Sequence, residues 1–178
     1  MPSLVVFVAI GAVVGLLLWG FVATLPVREE IGTISPAVAV TPKEEPSNYY
    51  LAVENRGGPG VFFAEIEIVD RPSMKAGERA EYPAIWEDGS GSREIAPGSQ
   101  GRLQIGTQVD SGKGGFLRVY FNSRNKEMDY LTEEIRSPTS PPLIVVRVKI
   151  SSVPAMKSGP FVGTYWLTSH SFTDMTSK

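Results

Sequence analysis

Glu65 and Glu67 stand two residues apart in VFFAEIEIVD. If that run is a strand, both carboxylates leave the same face with Cα atoms about 7 Å apart. Paired carboxylates serve glycoside hydrolysis, where an acid and a base flank the scissile bond. On an outward strand face the same pair keeps a sheet soluble and its edges unpaired, and the pattern favours that role. Glu133 and Glu134 are adjacent, and adjacent residues rarely converge on one substrate atom. His170 is the only histidine, set in the polar stretch SHSFTDMTSK with no second ligand beside it. Neither a metal site nor a Ser-His-Asp arrangement is expected there. DSGKGG, residues 110–115, fails the G-x-x-x-x-G-K-[ST] phosphate loop, and EDGSGS, residues 87–92, lacks the alternating carboxylates of a calcium loop. Both read as hairpin tips, so no catalytic residue, metal or cofactor is expected.

The aromatic residues offer recognition chemistry instead. Alternation in FLRVYFN puts Phe116 and Tyr120 on one face with Arg118, and Trp86 and Trp166 fall in other apolar runs. A row of exposed aromatics stacks on sugar rings and makes a carbohydrate-binding module. A Trp in a sandwich strand more often packs between the sheets. The scatter of these aromatics over different runs weighs against a sugar platform, leaving Trp86, Phe116, Arg118, Tyr120 and Trp166 as candidate contacts for a partner.

Charge is distributed unevenly. The 17 basic and 19 acidic side chains all lie at or after Arg28, and the net charge is −2. No basic excess is present to neutralise a phosphate backbone, so a general nucleic-acid binder is excluded from the expectation. The absence of Cys removes disulfides, thiolate metal sites, thiol nucleophiles and an N-terminal lipidated Cys. From Leu4 to Leu25 the chain reads LVVFVAIGAVVGLLLWGFVATL, without charge or internal Pro. As a helix it would extend roughly 33 Å, against a bilayer core of about 30 Å. A secretory signal needs a basic n-region, a shorter apolar stretch and small residues before the cut, and here Phe21 would stand at −3 for a cut after Ala23. Residues 1–27 are therefore expected to be an uncleaved transmembrane anchor. Gly11 and Gly15 form a G-x-x-x-G, the spacing at which two membrane helices approach closely. Arg28 and Lys43 bias the C-terminal part only weakly towards the cytoplasm.

The elements that must position the aromatic face come next. Residues 28–48 hold Pro26's successors Pro36, Pro42 and Pro46 and two acidic pairs, and read as a Pro-rich stalk with ISPAVAV as a possible edge strand. Residues 49–168 alternate with period two between Gly, Pro, Asn and Asp turns, the signature of an antiparallel sandwich of about eight strands. The inward sets are Tyr49, Leu51 and Val53; Phe62, Ala64, Ile66 and Ile68; Leu103 and Ile105; Leu117, Val119 and Phe121; and Ile144, Val146, Val148 and Ile150. The glycines of NRGGPG are expected to supply positive φ, NKEMDYLTEEIR to form a short helix, and residues 169–178 a polar tail.

LAVENRG, with its turn and following strand, resembles the opening strand pair of Ig-like bacterial surface domains of the cell-adhesion-related kind. IAPGSQGRLQI is similar to their I-x-P-G turn entering an alternating strand. The resemblance spans residues 51–105 and implies an Ig-like antiparallel β-sandwich that spaces or adheres outside the membrane. The expectation is an all-β domain behind one transmembrane helix, a single-pass membrane protein whose C-terminal domain lies extracytoplasmically. Its role is non-catalytic binding or structure at the cell envelope, with the lipid bilayer and a protein partner or second copy as its partners. The alternatives are an accessory subunit packed through Gly11 and Gly15 in a larger membrane complex, or a surface carbohydrate-binding module.

Overall fold

Alternation of apolar and polar residues becomes twelve strands in the computed structural model, which describes residues 34–75, 80–110, 115–122, 128–136 and 142–176. The strands are β1 (Val38–Glu45), β2 (Asn48–Asn55), β3 (Gly60–Asp70), β4 (Ala80–Pro83), β5 (Ile85–Trp86), β6 (Ser92–Ile95), β7 (Gln100–Asp110), β8 (Gly115–Asn122), β9 (Met128–Ile135), β10 (Ile144–Val153), β11 (Phe161–Leu167) and β12 (Phe172–Asp174). The charge-free segment with Gly11 and Gly15 lies outside the described residues. No helix among the described residues is long and apolar enough to cross a membrane.

Two antiparallel sheets face each other. The first runs β1-β2-β7-β8-β9 with β5 added on β7; the second runs β12-β11-β10-β3-β4 with β6 added on β3. Every inward residue named from the sequence is buried, from Leu51, Val53 and Phe62 to Val148 and Ile150. The sheets close on one another because a strand buried on one face must hide that face against another apolar layer. At one side Tyr49 and Tyr165 pack their rings on Phe172, with centroids 5.9 and 5.5 Å away.

The two motifs that carried the resemblance meet at Asn55. Its side-chain amide donates to the Gly58 carbonyl at 2.9 Å and the Ile95 carbonyl at 2.8 Å, while its Oδ1 accepts the Gly57 N–H at 3.0 Å. The backbone adds Asn55 N–H to Ser99 O and Gly98 N–H to Asn55 O. Ala96, Pro97, Gly98 and Ser99 form the turn that receives these bonds: Gly98 takes φ +74° and Ser99 N–H closes on Ala96 O at 3.0 Å. A type II turn demands that conformation after Pro. One fully buried Asn thus ties the end of β2 to the entry of β7.

Several expectations are corrected. The stretch read as a stalk with ISPAVAV as a possible edge strand holds β1, which starts inside that run at Val38, extends further to Glu45 and pairs with β2 throughout. Pro42 is accommodated because β1 is the sheet edge, where a missing N–H costs no ladder bond. The tail contains β12, held on β11 by pairs such as Trp166 with Thr173, and fixed to β1 by the Glu44 carboxylate, which accepts the Phe172 N–H. The expected short helix is instead β9, paired with β8 over its length. Its inward positions include Glu133, so the apolar alternation is broken by one carboxylate that Arg71 binds at 3.0 Å and Ser73 also bonds. Gly57 and Gly58 do not carry the positive φ, which falls on Gly89, Gly98 and Gly159. They are small because the 34–37 backbone lies against them: a Cβ on Gly58 would stand 1.7 Å from Ile34 O.

Candidate functional site

Strand β8 exposes alternate residues on the outer face of the first sheet, and its register with β9 decides what stands beside each. Phe116 lies opposite Glu134, Arg118 opposite Thr132 and Tyr120 opposite Tyr130. On the other flank Thr107 of β7 lies opposite Arg118. The pairing brings the Arg118 guanidinium over the Tyr130 ring, 4.5 Å from its centroid, and sets Tyr120 edge-on to Tyr130 at 6.2 Å. A guanidinium over an aromatic face is held by the ring quadrupole and keeps its planar donor fork presented.

A second arginine–tyrosine pair occupies the same face towards β1. Arg102 lies 3.8 Å over the Tyr50 ring and bonds Glu45 at 2.8 Å and Glu87 at 3.3 Å. Tyr50 also donates to Glu45 at 3.0 Å. The Arg102 bond, and after it the Tyr50 bond, hold the Glu45 carboxyl below its usual range. The same bond to Glu45 adds to desolvation in raising the Tyr50 phenol. Arg102 therefore holds two carboxylates through its terminal nitrogens. Arg118 is different: six of the seven described arginines hold a carboxylate at ion-pair distance, and Arg118 holds none among the described residues. Its Nε, like that of Arg102, is buried without an acceptor.

Between these pairs lies a cavity of about 260 Å³ lined by Asn48, Ile85, Trp86, Gln104, Tyr120 and Met128 among others. Trp86 is fully buried and forms part of its wall, with an indole N–H that has no partner. Trp86 is therefore a core residue. Trp166 projects from β11 opposite Val145 and Thr173, on the outer face of the second sheet. Phe116, Arg118 and Tyr120 lie on one face of β8, Trp86 lines the cavity together with Tyr120, and Trp166 stands apart on the other sheet. Tyr130, Tyr50 and Arg102 were missed. Tyr130 belonged to the run expected as helix, and a period-two reading of MDYLTEEI would have put it outward beside β8.

The other chemical candidates are occupied with structural work. Glu65 bonds Lys149 at 2.9 Å and Glu67 bonds Arg147 at 2.7 Å across β3 and β10, a ladder of cross-strand ion pairs on the second sheet. Carboxylates held this way are positioned against cations, not towards a scissile bond. Glu133 lines a cavity of about 430 Å³, but both its partners come from the segment after β3, so it anchors that segment to β9. Asp88 caps its own turn through Ser90, which lowers its carboxyl first, and reaches Arg93 at 3.3 Å. His170 is exposed in the turn between β11 and β12. No group of acidic and histidine side chains among the described residues is arranged to hold a metal. No protein-family model, curated protein or solved structure matches the chain.

Proposed function

We propose that the chain is a membrane-tethered, Ig-like recognition module that contacts a protein partner through the outer face of its first sheet and performs no catalysis. The observation that carries this reading is the convergence of Phe116, Arg118, Tyr120 and Tyr130 beside a cavity, on one side of the sandwich. Tyr and Arg are the residues that dominate binding energy at protein interfaces, because they bury large area while keeping a polar handle. On the second sheet's outer face Glu65 and Glu67 are instead paired with Lys149 and Arg147.

The Ig-like assignment is supported by strand order. β1-β2-β7 and β11-β10-β3 correspond to the A-B-E and G-F-C sets of an Ig sandwich, with β8 and β9 extending the first sheet. The tether rests on the apolar segment from Leu4 to Leu25, and placement of the domain outside the membrane rests on the resemblance to surface domains. Protease added to intact cells should digest the domain; protection until lysis would put it in the cytoplasm.

The face itself is tested with a photo-cross-linking residue placed at Thr132 or, on the opposite face, at Val162 of the full chain in cells. A discrete adduct from Thr132 and none from Val162 supports the reading. Equal yields from both positions, or none from either, refute it.

A further inference from the structure

The partner's chemistry can be taken one step further, resting on the reading that the first sheet's outer face is the contact surface. We infer that Arg118 is the seat for the carboxylate of an acidic side chain on the partner, with an apolar neighbour of that residue entering the cavity beside Tyr120. The charge pattern selects this occupant. Arg56, Arg71, Arg93, Arg102, Arg136 and Arg147 are each neutralised by a carboxylate of the chain itself. Arg118 is half-buried among Phe116, Tyr120 and Tyr130 and is compensated only by a ring face. A cation already partly removed from water loses little more on meeting a carboxylate, so the paired, charge-assisted bonds return most of their strength. Stacking on Tyr130 fixes the fork before the partner arrives.

A carboxylate fits better than a phosphate. Among the described residues only one uncompensated guanidinium is on offer, because Arg102 is shared by Glu45 and Glu87, and Glu134 stands in the next row opposite Phe116. A dianion would meet one positive charge and a neighbouring negative one. The flanks are neutral and polar or aromatic: Thr107 and Thr132 in the row of Arg118, and Tyr120 about 7 Å along the strand, at the lip of the cavity. That separation matches successive same-side residues of an extended peptide, so an acidic residue over Arg118 places a second side chain two positions away at the cavity.

The test follows the Arg118 Nε–Hε and Tyr120 amide signals of the labelled full chain in detergent. The probes are Ac-Leu-Glu-Leu-Leu-NH2, the same peptide with Gln for Glu, and inorganic phosphate. Saturable shifts with the Glu peptide, about tenfold or more weaker with the Gln peptide and with phosphate, are expected from charge-assisted bonds to one guanidinium. Arg118→Gln should weaken the Glu peptide by about tenfold, and Arg118→Lys should recover part of it. Equal response to the Glu and Gln peptides, a stronger response to phosphate, or undiminished binding by Arg118→Gln overturns the inference. The cross-link from Thr132 separates the two claims. If Arg118→Gln leaves its yield unchanged, the face stands and the carboxylate seat falls; if the unsubstituted chain gives no adduct, the face itself falls.

Discussion

Replacing Asn55 tests whether one buried amide joins the end of β2 to the turn that enters β7. Its side chain makes three hydrogen bonds at 2.8 to 3.0 Å, two donated and one accepted, at a fully buried position. Each such bond contributes about 1 kcal/mol net, so Asn55→Ala should cost about 3 kcal/mol, raised somewhat by leaving the carbonyls of Gly58 and Ile95 without a donor. Asn55→Asp keeps the shape and the bond from Gly57 but turns a carboxylate oxygen towards two carbonyls. Its folded pKa must therefore rise above the unfolded value of about 3.9. A group raised in this way has its full stability below the unfolded pKa and loses it as pH rises, at up to about 1.4 kcal/mol per unit. Asn55→Asp should thus resemble the native residue most closely below about pH 4 and fall below Asn55→Ala by pH 7. Urea unfolding of residues 34–178, followed by Trp86 fluorescence, reads both variants, since this segment forms a compact unit and Trp86 is fully buried. A cost under about 1 kcal/mol for Asn55→Ala, or a pH-independent Asn55→Asp, would refute the assignment of Asn55 as the joint.

Gly58→Ala should push the 34–37 segment off the turn, because the new Cβ would stand 1.7 Å from Ile34 O, and hydrogen exchange at the Arg56 amide, bonded to Ala37 O, should accelerate. Unchanged protection at that amide would show that the close approach is not what the glycine serves. Glu133→Gln should cost about 2 kcal/mol in urea unfolding, below the figure for a fully enclosed pair because Arg71 keeps 15% exposure. A neutral effect would mean that the segment after β3 is not anchored by this carboxylate. Burial, and after it the charge of Asp174, pushes the Tyr165 phenol well above its ordinary value of 10.0. Its contribution is complete below pH 10 and is lost as pH climbs beyond, so alkaline unfolding should release a tyrosinate later than those of Tyr49 and Tyr50, whose phenols are also raised, and Tyr165→Phe should abolish that last step. Absorbance near the tyrosinate band during a pH ramp checks this, and simultaneous titration of all tyrosines would contradict it.

The inward faces were legible because a strand repeats every two residues and the core accepts only one parity. Ile144, Val146, Val148 and Ile150 declare that parity without help. β4, β6 and β12 were not legible, since runs of four, four and three residues are too short to establish a period. β5 is shorter still, and both Ile85 and Trp86 are buried, so alternation says nothing about where Trp86 goes. β9 was hidden for a different reason. Glu133 holds an inward position, and Arg71 and Ser73, sixty-two and sixty residues away in sequence, make a carboxylate acceptable there. The triplet Phe116, Arg118 and Tyr120 was visible within one strand. Tyr130 was not, because the β8–β9 register that sets it against Tyr120 is a tertiary fact.

That register also separates residues the fold requires from those it merely permits. Across β3 and β10, Glu65 with Lys149 and Glu67 with Arg147 place opposite charges on neighbouring strands, an arrangement that supports pairing and leaves no net demand on solvent. On the first sheet Arg102 of β7 is likewise neutralised, by Glu45 of β1 across β2 and by Glu87. At position 118 a Thr or Val would suit a half-buried strand at least as well as Arg, and would leave no Nε buried without an acceptor. The core below is closed by Leu117 and Val119, which point the other way. Packing therefore gives no account of a lone guanidinium at this place, and ion pairing within the chain, which the other six described arginines all have, gives none either. What remains is a group outside the chain that supplies the missing negative charge, and the aromatic surroundings of Arg118 raise the strength of that contact by keeping water away from it.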